Sequence, residues 1–244
     1  MRFLISIISH HNVVDIKQLI ENNMSVLDIK EVFLLIRFNV QEDCEQLESI
    51  DFTNAKMAMS FNEKPAGFGE NHNKNFNEFC ETSDIFIVCN PDIERISNSI
   101  FQFLKIGCKD DTLVVPKILN EDLSEADFRR QDLKLMHLLG RLFNKKVGTS
   151  IENYTWVPSI FKCFTYGGFK KINGYDENIF MYYEDYDICM RAKSLGIDIL
   201  ISESDYVVHR GTRESRKSPK LLFSHIKSVF YVLRQKYLGV YRCV

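Results

Sequence analysis

Short apolar runs alternate with helix-like stretches through the first half of the chain. Four apolar runs have the length and composition of buried strands: residues 3–8, 31–37, 57–61 and 84–89. Helical patterns lie between or after them, at residues 13–23, 71–80 and 93–103. Because strands that alternate with helices form parallel sheets with crossover connections, this order predicts an α/β fold.

The second half is less regular but still predicts separate elements. We expect a helix over residues 125–143, a second helix from Glu184 to Leu195 that stops at Gly196, and strands at residues 197–202 and 206–209.

The last 26 residues predict an amphipathic helix that begins near Pro219. Its apolar positions recur at steps of three or four: Leu222, Ile226, Val229, Leu233 and Tyr237. Its basic residues lie off that line: Lys220, Lys227, Arg234 and Lys236. Two interpretations stay open, a helix that packs on its own domain and a helix that rests on a membrane surface.

Composition fits a single large α/β domain in a reducing compartment. The 244 residues are 45% hydrophobic and 26% charged, which is ordinary for a globular protein. Seven Cys without a C-x-x-C pair disfavour a disulfide scaffold or a zinc ribbon, and favour the cytosol. The N-terminal apolar run lacks a cleavage site, and no run approaches the ~20 residues of a membrane span.

Charge is distributed unevenly along the chain. The segment from Arg210 onward contains nine Lys or Arg and one acid, although the whole chain carries a net charge of −2. A basic tail on an acidic body suggests an anionic partner: a membrane surface, a pyrophosphate or a nucleic acid. A nucleic-acid-binding protein is the least favoured of these, because the body is acidic and no recognised module is present.

Polar clusters follow three of the predicted strands. They occupy residues 9–12, 37–39 and 90–92. In open α/β sheets, ligands bind beyond the carboxyl ends of the strands, so we expect these clusters to line a site. Ordinary polar turns are the alternative for any one cluster.

A loop at residues 65–73 contains Gly67 and Gly69, which would let backbone approach a ligand closely, and Asn71, which could cap the following helix. It matches neither G-x-G-x-x-G nor the G-K-S/T of a Walker loop, so a structural turn is equally consistent with it.

Asp92 and His209 are candidate ligands for a divalent cation. Asp92 directly follows an apolar strand, where a carboxylate suits a hard cation that bridges a diphosphate. The simpler interpretation makes Asp92 the cap of a helix that starts near Ile93. His209 ends a strand and would need a partner such as Asp92. The basic residues that follow it, among them Arg210 and Arg213, suit phosphates or a solvated loop.

The stretch FMYYEDYDICMRAKSLG places Glu184, Asp185 and Asp187 among aromatic residues. Acids in a first helical turn stabilise the helix dipole, which is sufficient reason for their position. The aromatic neighbours are not explained by the dipole. They would lower the local dielectric and raise the pKa of a carboxyl group toward that of a useful general base.

Taken together, these motifs resemble the family-2 glycosyltransferases of the GT-A fold, specifically the bacterial rhamnosyltransferase-like branch that builds O-antigen and related polysaccharides. The resemblance covers roughly residues 1–230 and is carried by four segments in order: GFGENHN with DIFIVCNPDIE, WVPSIFKCF, KKINGYDENIFMYYEDYDICMRAKSLGI, and VVHRGTRES. It implies a Rossmann-like mixed, mostly parallel sheet flanked by helices, followed by the C-terminal basic amphipathic helix.

The resemblance also implies residue roles. Asp92 and His209 would hold Mg²⁺ or Mn²⁺, and Asp185 would be the catalytic base beside Glu184. The nucleotide-sugar side would be lined by Ser9, His10, Asn39, Gly67, Phe68, Asn71, Asn73, Asn90 and Asp92. The acceptor side would contain Trp156, Ser159, Tyr183, Asp187 and Arg213.

Two positions depart from the family pattern. Phe38 stands where an Asp usually contacts the nucleotide base, so base recognition must differ, with stacking as one possibility. Ser159 stands where a Gly is usual, which would narrow the acceptor pocket.

The function implied is inverting transfer of rhamnose from TDP-rhamnose to a saccharide on polyprenyl pyrophosphate, at the cytoplasmic face of the inner membrane. Residues 1–217 would form the GT-A domain, with a nucleotide half at about 1–110 and an acceptor half at about 111–217, and residues 218–244 the C-terminal helix. The alternatives are a UDP-hexose or UDP-N-acetylhexosamine transferase and a non-catalytic sugar-nucleotide-binding relative.

Overall fold

The computed structural model describes residues 1–133, 154–211 and 219–241. The strands are β1 (Phe3–Ser9), β2 (Val32–Phe38), β3 (Lys56–Phe61), β4 (Ile85–Cys89), β5 (Ile93–Ile96), β6 (Thr112–Leu119), β7 (Phe161–Thr165) and β8 (Asp198–His209). The helices are α1 (Val13–Asn22), α2 (Met24–Leu27), α3 (Glu45–Glu48), α4 (Phe68–Phe79), α5 (Ile100–Gly107), α6 (Tyr166–Ile172), α7 (Glu184–Ser194) and α8 (Pro219–Tyr237).

The strands of these described ranges form one mixed sheet in the order β3-β2-β1-β4-β7-β6-β8-β5. The strands β3, β2, β1 and β4 are parallel, β7 is antiparallel to both β4 and β6, β6 and β8 are parallel, and β5 is antiparallel to β8. The apolar strands β1 and β4 are buried almost throughout because helices cover the sheet. The predicted mixed, mostly parallel sheet flanked by helices is confirmed.

One predicted helix is wrong, and a second is wrong over the part of it that the structure describes. Residues 93–103 divide into strand β5 and helix α5, because Ile93 and Ile96 pair with the distant strand β8. Asp92 therefore caps no helix, and the simpler interpretation of that residue is excluded. Residues 125–133 form no helix either. Glu125 bridges to Leu119, and Arg130 bridges to Trp156. The rest of the predicted helix, up to residue 143, lies outside the described residues.

Helix α4 begins three residues earlier than predicted, and its glycines contact protein. Gly67 is the N-cap residue, whereas the Asn71 side chain donates to the Gly67 carbonyl from within the helix. A side chain on Gly67 would place Cβ 2.8 Å from the Phe180 carbonyl oxygen, and one on Gly69 would place Cβ 2.5 Å from Tyr175 Cβ. The missing side chains at both glycines thus allow residues 175–180 to pack closely, and the space is not open to a ligand.

Helix α7 starts at Glu184 as predicted, but its entry is unusual. Tyr182 and Tyr183 both have left-handed backbone conformations, with φ of 69° and 65°. Such conformations cost free energy in non-glycine residues and persist only where surrounding contacts impose them.

Helix α8 packs on the GT-A-like body, close to the entry of α7. Ser228 Oγ donates to the Met181 carbonyl at 2.8 Å, and Tyr231 donates to Asp176 at 2.8 Å. The His225 ring lies 5.2 Å and 5.0 Å from the rings of Tyr182 and Tyr183. Packing on its own domain is therefore correct for this face of the helix. Within the described ranges, no helix combines the length and apolar composition that crossing a bilayer requires.

Candidate active site

Strand pairing brings Asp92 and His209 together. His209 is opposite Ile93 in the β5–β8 ladder, so the residue before Ile93 adjoins it. His209 Nε2 lies 3.0 Å from Asp92 Oδ1, and the Arg210 backbone N–H donates to the Asp92 carbonyl. Burial by itself raises the pKa of Asp92, but the contact with His209 outweighs it and leaves that pKa below its ordinary value. The carboxylate is thus ionised at neutral pH.

This pair suits a divalent cation that is shared with a ligand. Apart from its 3.0 Å approach to Asp92 Oδ1, the buried His209 Nε2 atom has no well-aligned hydrogen bond to any of the described residues, so it can serve as a nitrogen ligand beside that carboxylate. In the described part of the chain, no group of three or more His, Cys, Asp or Glu side chains is placed so that it could hold a metal ion. Asp92 and His209 would therefore supply two ligands and leave the remaining positions to diphosphate oxygens and water, as is usual for such sites. A carboxylate with an imidazole fits Mn²⁺ at least as well as Mg²⁺.

Arg210 is committed to structural ion pairs. Its guanidinium lies 3.3 Å from Asp15 and 3.3 Å from Glu94, and it donates to Gln18. These contacts tie the end of β8 to α1 and β5, so a phosphate would have to compete with them. Arg213, which we predict on the acceptor side, lies outside the described residues.

An amide network joins the predicted nucleotide-side residues at the carboxyl ends of β1 and β2. Asn39 Oδ1 accepts from the Ala66 N–H at 2.7 Å and from Asn62 at 3.0 Å, and Asn62 also donates to Asn71 at 2.6 Å. His10 is hydrogen-bonded to Asn39 at 3.3 Å. The network fixes the strand ends and the loop before Phe68 relative to one another.

The other predicted nucleotide-side residues lie around this network. Ser9, at the end of β1, is buried and accepts from the Asn12 N–H. The Asn90 N–H donates to the Ile160 carbonyl and so continues the β4–β7 pairing toward Asp92. The Phe68 ring packs against the His72 ring, 4.5 Å between centroids.

Asn73 has a different position from the one the motif implies. Its amide donates to the Tyr175 carbonyl at 2.9 Å and to Glu177 at 3.0 Å, and it accepts from the Tyr175 N–H at 2.9 Å. Both ends of the amide are thus engaged by residues 175–177. The geometry gives Asn73 a structural role in holding that segment to α4.

Phe38 cannot stack on a base, because its side chain is completely buried. It stacks instead on Phe61 of β3, with ring centroids 4.8 Å apart and an interplanar angle of 10°. The Phe61 side chain is 59% exposed. Any aromatic surface for a base at this edge of the sheet is therefore that of Phe61 and not that of Phe38.

Glu184 and Asp185 have different environments although they are neighbours. Glu184 is buried, and its Oε2 atom has no hydrogen-bond partner within residues 1–133, 154–211 and 219–241. Burial, and then the charge of Asp185, raise the pKa of Glu184 to about 8. Asp185 is partly exposed and accepts from the Tyr186 N–H at 2.9 Å. Burial raises the pKa of Asp185 as well, but the positive charge of Lys162 opposes that rise.

Two of the predicted acceptor residues are internal. Asp187 is almost completely buried, with one carboxylate oxygen bound by Arg191 at 2.6 Å and the other by the Tyr241 hydroxyl at 2.6 Å. Trp156 donates to the Gln131 carbonyl and packs edge-to-face on Tyr186. Because these contacts use their polar atoms, direct acceptor binding by Asp187 and Trp156 does not fit this geometry.

Ser159 and Tyr183, the other two described residues predicted on the acceptor side, are also buried. The Ser159 hydroxyl accepts from the Tyr175 hydroxyl at 3.0 Å, and both side chains are buried. Tyr183 immediately precedes α7 and is mostly buried. Ser159 stands where the family usually has a glycine, and its side chain fills space beside Tyr175.

Sequence reasoning missed one charged residue, Lys162. It is fully buried in β7, and Nζ donates to the Val157 carbonyl at 3.0 Å. The only signal was a lysine in the middle of the apolar run SIFKCF, which a strand interior rarely tolerates without a partner.

Comparison with known proteins agrees with the fold and the motifs. No protein-family model matches the chain. Over 254 residues the chain is 24% identical to the rhamnosyltransferase WbbL of Escherichia coli K12, which covers 95% of this chain and 92% of that protein.

Several solved glycosyltransferase structures share the fold at low identity. They include S. aureus TarS in complex with UDP-GlcNAc (TM-score 0.63, 14% identity, 89% of this chain and 61% of that one). They also include GalNAc-T7 with UDP, GalNAc and Mn²⁺ (TM-score 0.64, 14% identity, 94% and 47%). A third is a mannosyltransferase of Pyrobaculum calidifontis with GDP-Man and Mn²⁺ (TM-score 0.60, 9% identity, 87% and 58%). The chain therefore spans about half to three-fifths of these structures. It has the GT-A fold, and the resemblance to the family-2 glycosyltransferases that its motifs indicate is confirmed.

Proposed function

We propose that the chain is an inverting, metal-dependent glycosyltransferase that moves rhamnose from TDP-rhamnose to a saccharide acceptor. The observation that carries the proposal is the 3.0 Å approach of Asp92 to His209 at the end of β4. Rhamnose is the favoured sugar because the curated relative is a rhamnosyltransferase. The structural neighbours bind UDP- or GDP-sugars, which keeps a UDP-hexose or UDP-N-acetylhexosamine donor as the second candidate.

Asp185 is the residue best suited to act as the general base. It is partly exposed, whereas Glu184 is buried and has a pKa of about 8, so that Glu184 keeps its proton at neutral pH. With the proton on Glu184, we assign the negative charge of the pair at neutral pH to Asp185, whose side chain is the more exposed of the two. As the acceptor hydroxyl oxygen attacks the anomeric carbon, Asp185 takes its proton, and the bond from the anomeric carbon to the diphosphate breaks.

Asp92 and His209 would hold the divalent cation, which when bound offsets the negative charge of the leaving diphosphate. Asp92 suits this task because it is ionised, and His209 because its Nε2 atom lacks a well-aligned partner. The loop around Gly67 and the amide of Asn39 stand on the donor side of the same sheet edge.

The exposed face of α8 supports an acceptor carried in a membrane. Four large apolar side chains lie on that face: Leu222, Phe223, Ile226 and Phe230. Lys227 and Arg234 are exposed on the same helix. An apolar stripe with basic residues fits the surface of an anionic bilayer, where each Lys or Arg contributes about 1 kcal/mol. We therefore place the protein at the cytoplasmic face of the membrane, acting on a polyprenyl-pyrophosphate-linked saccharide for surface polysaccharide such as O-antigen.

The same helix defines the proposed division of the chain. Residues 1–217 would form the transferase domain and residues 218–244 a C-terminal helix that docks on it and meets the membrane. The nucleotide and acceptor halves of the domain share one sheet, because β4 pairs with β7 and β5 pairs with β8.

A donor panel tests the activity. Incubation with Mn²⁺ and TDP-rhamnose, UDP-glucose, UDP-galactose or UDP-N-acetylglucosamine should give the fastest sugar release from TDP-rhamnose. Faster hydrolysis of a UDP-sugar would establish the second candidate. Binding of a donor without hydrolysis, and without transfer to saccharide acceptors, would identify a non-catalytic sugar-nucleotide-binding protein.

Replacing the base tests the mechanism. Asp185→Asn should lower turnover at least ~10²–10⁴-fold, the usual contribution of a positioned base, while nucleotide binding persists. Glu184→Gln is the matched control, because it copies the protonated carboxyl group and should cost less than about tenfold. Turnover by Asp185→Asn near the wild-type rate would contradict the assignment.

Replacing the proposed ligands tests the metal site. Calorimetry of nucleotide binding should show that Asp92→Ala and His209→Ala each reduce the gain in affinity caused by Mn²⁺ by at least about tenfold. Glu63→Ala, which removes an exposed carboxylate before the glycine loop, should leave that gain intact. Unchanged metal dependence in both ligand variants would show that the cation binds elsewhere.

Vesicle flotation tests the membrane surface. The full chain should float with vesicles that contain anionic phosphatidylglycerol, and the double variant Phe223→Ser/Phe230→Ser should bind roughly a hundredfold more weakly. Phe61→Ser removes an equally exposed phenyl ring from the sheet edge and serves as the control. Equal binding to neutral vesicles would refute the proposal that this face binds an anionic membrane. A chain that binds no vesicles but forms a concentration-dependent dimer, which the double variant abolishes, would refute it as well.

A further inference from the structure

Among the residues that the structure describes, no carboxylate is a hydrogen-bond partner of the charged side chain of Lys162. It lies at the centre of the sheet, where its neighbour in β4 is Val88, and its side chain is completely shielded from solvent. Nζ donates to the Val157 carbonyl at 3.0 Å and to Cys189 Sγ at 3.4 Å. Both partners are neutral groups. A buried ammonium ion is strongly unfavourable unless an opposite charge is near, so the counter-charge of Lys162 must come from another group.

Helix α7 supplies the candidate for that counter-charge. Cys189, which Nζ contacts, follows Asp185 by four residues. Residues four apart on a helix lie one turn apart on the same face, so Lys162 contacts α7 one turn beyond Asp185. The side chain of Cys189 also donates to the Val157 carbonyl, which fixes this turn of α7 to the segment just before β7, the strand that carries Lys162.

We propose that Lys162 is a positioning residue whose buried ammonium keeps Asp185 ionised while Glu184 carries the proton of the pair. This inference rests on the proposed function of Asp185 as the base. A carboxylate in an apolar setting would otherwise gain a proton near neutral pH and could no longer accept one from a hydroxyl group. Lys162 thus acts on the acceptor through Asp185 and does not contact it.

The other groups around Asp185 determine how large the effect is. Arg130 contributes a second positive charge from the segment that bridges to Trp156. Glu184 precedes Asp185 on the helix. The Tyr175 hydroxyl lies close enough to interact electrostatically with both carboxyl groups. The charge of Asp187 is paired with that of Arg191. Of Lys162 and Arg130, only Lys162 is fully buried. Charges in the protein interior are screened least, so Lys162 has the stronger influence. It also lowers the pKa of both Asp185 and Glu184.

Removal of the charge at constant volume is the experiment. In Lys162→Met, the acidic limb of the pH profile of kcat/KM should move upward by about one pH unit, so that activity on the acid side falls about tenfold. Activity at alkaline pH should be retained, because Asp185 then ionises without help. Lys162→Arg should keep the limb near its wild-type position. Cys189→Ala, which removes the Nζ–Sγ contact but not the charge, should also leave it unmoved.

A second measurement does not depend on turnover. Heteronuclear NMR titration of the Asp185 carboxyl group in the ligand-free chain should give a higher pKa in Lys162→Met than in the wild type. In the wild type, the Lys162 side-chain nitrogen should have the chemical shift of an ammonium ion at neutral pH. A neutral amine there would overturn the proposal even if Lys162→Met fails to fold.

The two proposals fail in different ways. If Asp185→Asn retains turnover, the base assignment is wrong whatever Lys162 does. If Asp185→Asn is inactive but Lys162→Met has the wild-type pH profile and the wild-type Asp185 titration, the role of Lys162 is wrong and the base assignment stands.

Discussion

The close approach of residues 175–180 to helix α4 is the constraint on which the site depends. It is possible only because Gly67 and Gly69 have no side chains where the Phe180 carbonyl and Tyr175 lie. The Phe68 N–H donates to that same Phe180 carbonyl at 2.8 Å. Since Phe180 is four residues before Glu184, backbone contacts fix the start of α7 relative to the loop on the donor side. A hydrogen-bonded backbone contact positions catalytic groups more rigidly than long side chains would.

The conformation that follows Phe180 needs support from a second direction, and α8 provides it. Tyr182 and Tyr183 adopt left-handed backbone conformations that neighbouring contacts must maintain. His225 and Ser228 of α8 contact this segment, and Lys236 binds Asp132 at 2.5 Å, which in turn accepts from the Tyr186 hydroxyl. One face of α8 therefore holds the entry of α7, while its opposite apolar face is exposed. Docking of that exposed face would set the orientation of the acceptor side toward the membrane.

A buried polar network makes the part of the sheet formed by β1 and β2 equally rigid. Ser6 of β1 is hydrogen-bonded to His72 at 2.7 Å, and Asn75 joins Ser6 to Arg37 of β2. Burial lowers the pKa of His72 to about 3, so this histidine is neutral and contributes no charge to the site. Hydrogen-bonded polar groups of this kind specify one arrangement of helix on sheet, because any slip leaves a buried donor or acceptor unpaired.

The sequence by itself determined the elements whose signal is local, and the motifs that identify the chemistry. Strands β1 to β4 follow from apolar runs, helix α8 from apolar periodicity and helix α7 from its start and stop signals. The resemblance singled out Asp92, His209 and the carboxylate pair as candidates. The tertiary structure alone decided the state of residues 93–96, because β5 exists through pairing with β8, far away in the chain. It also decided which side chains face inward. Asn73 and Asp187 match the motif but are engaged by other residues, and Phe38, which departs from the motif, is buried. Lys162 emerged as a buried charge. Residue type and spacing record local propensity, whereas burial and counter-charge depend on which distant elements pack together.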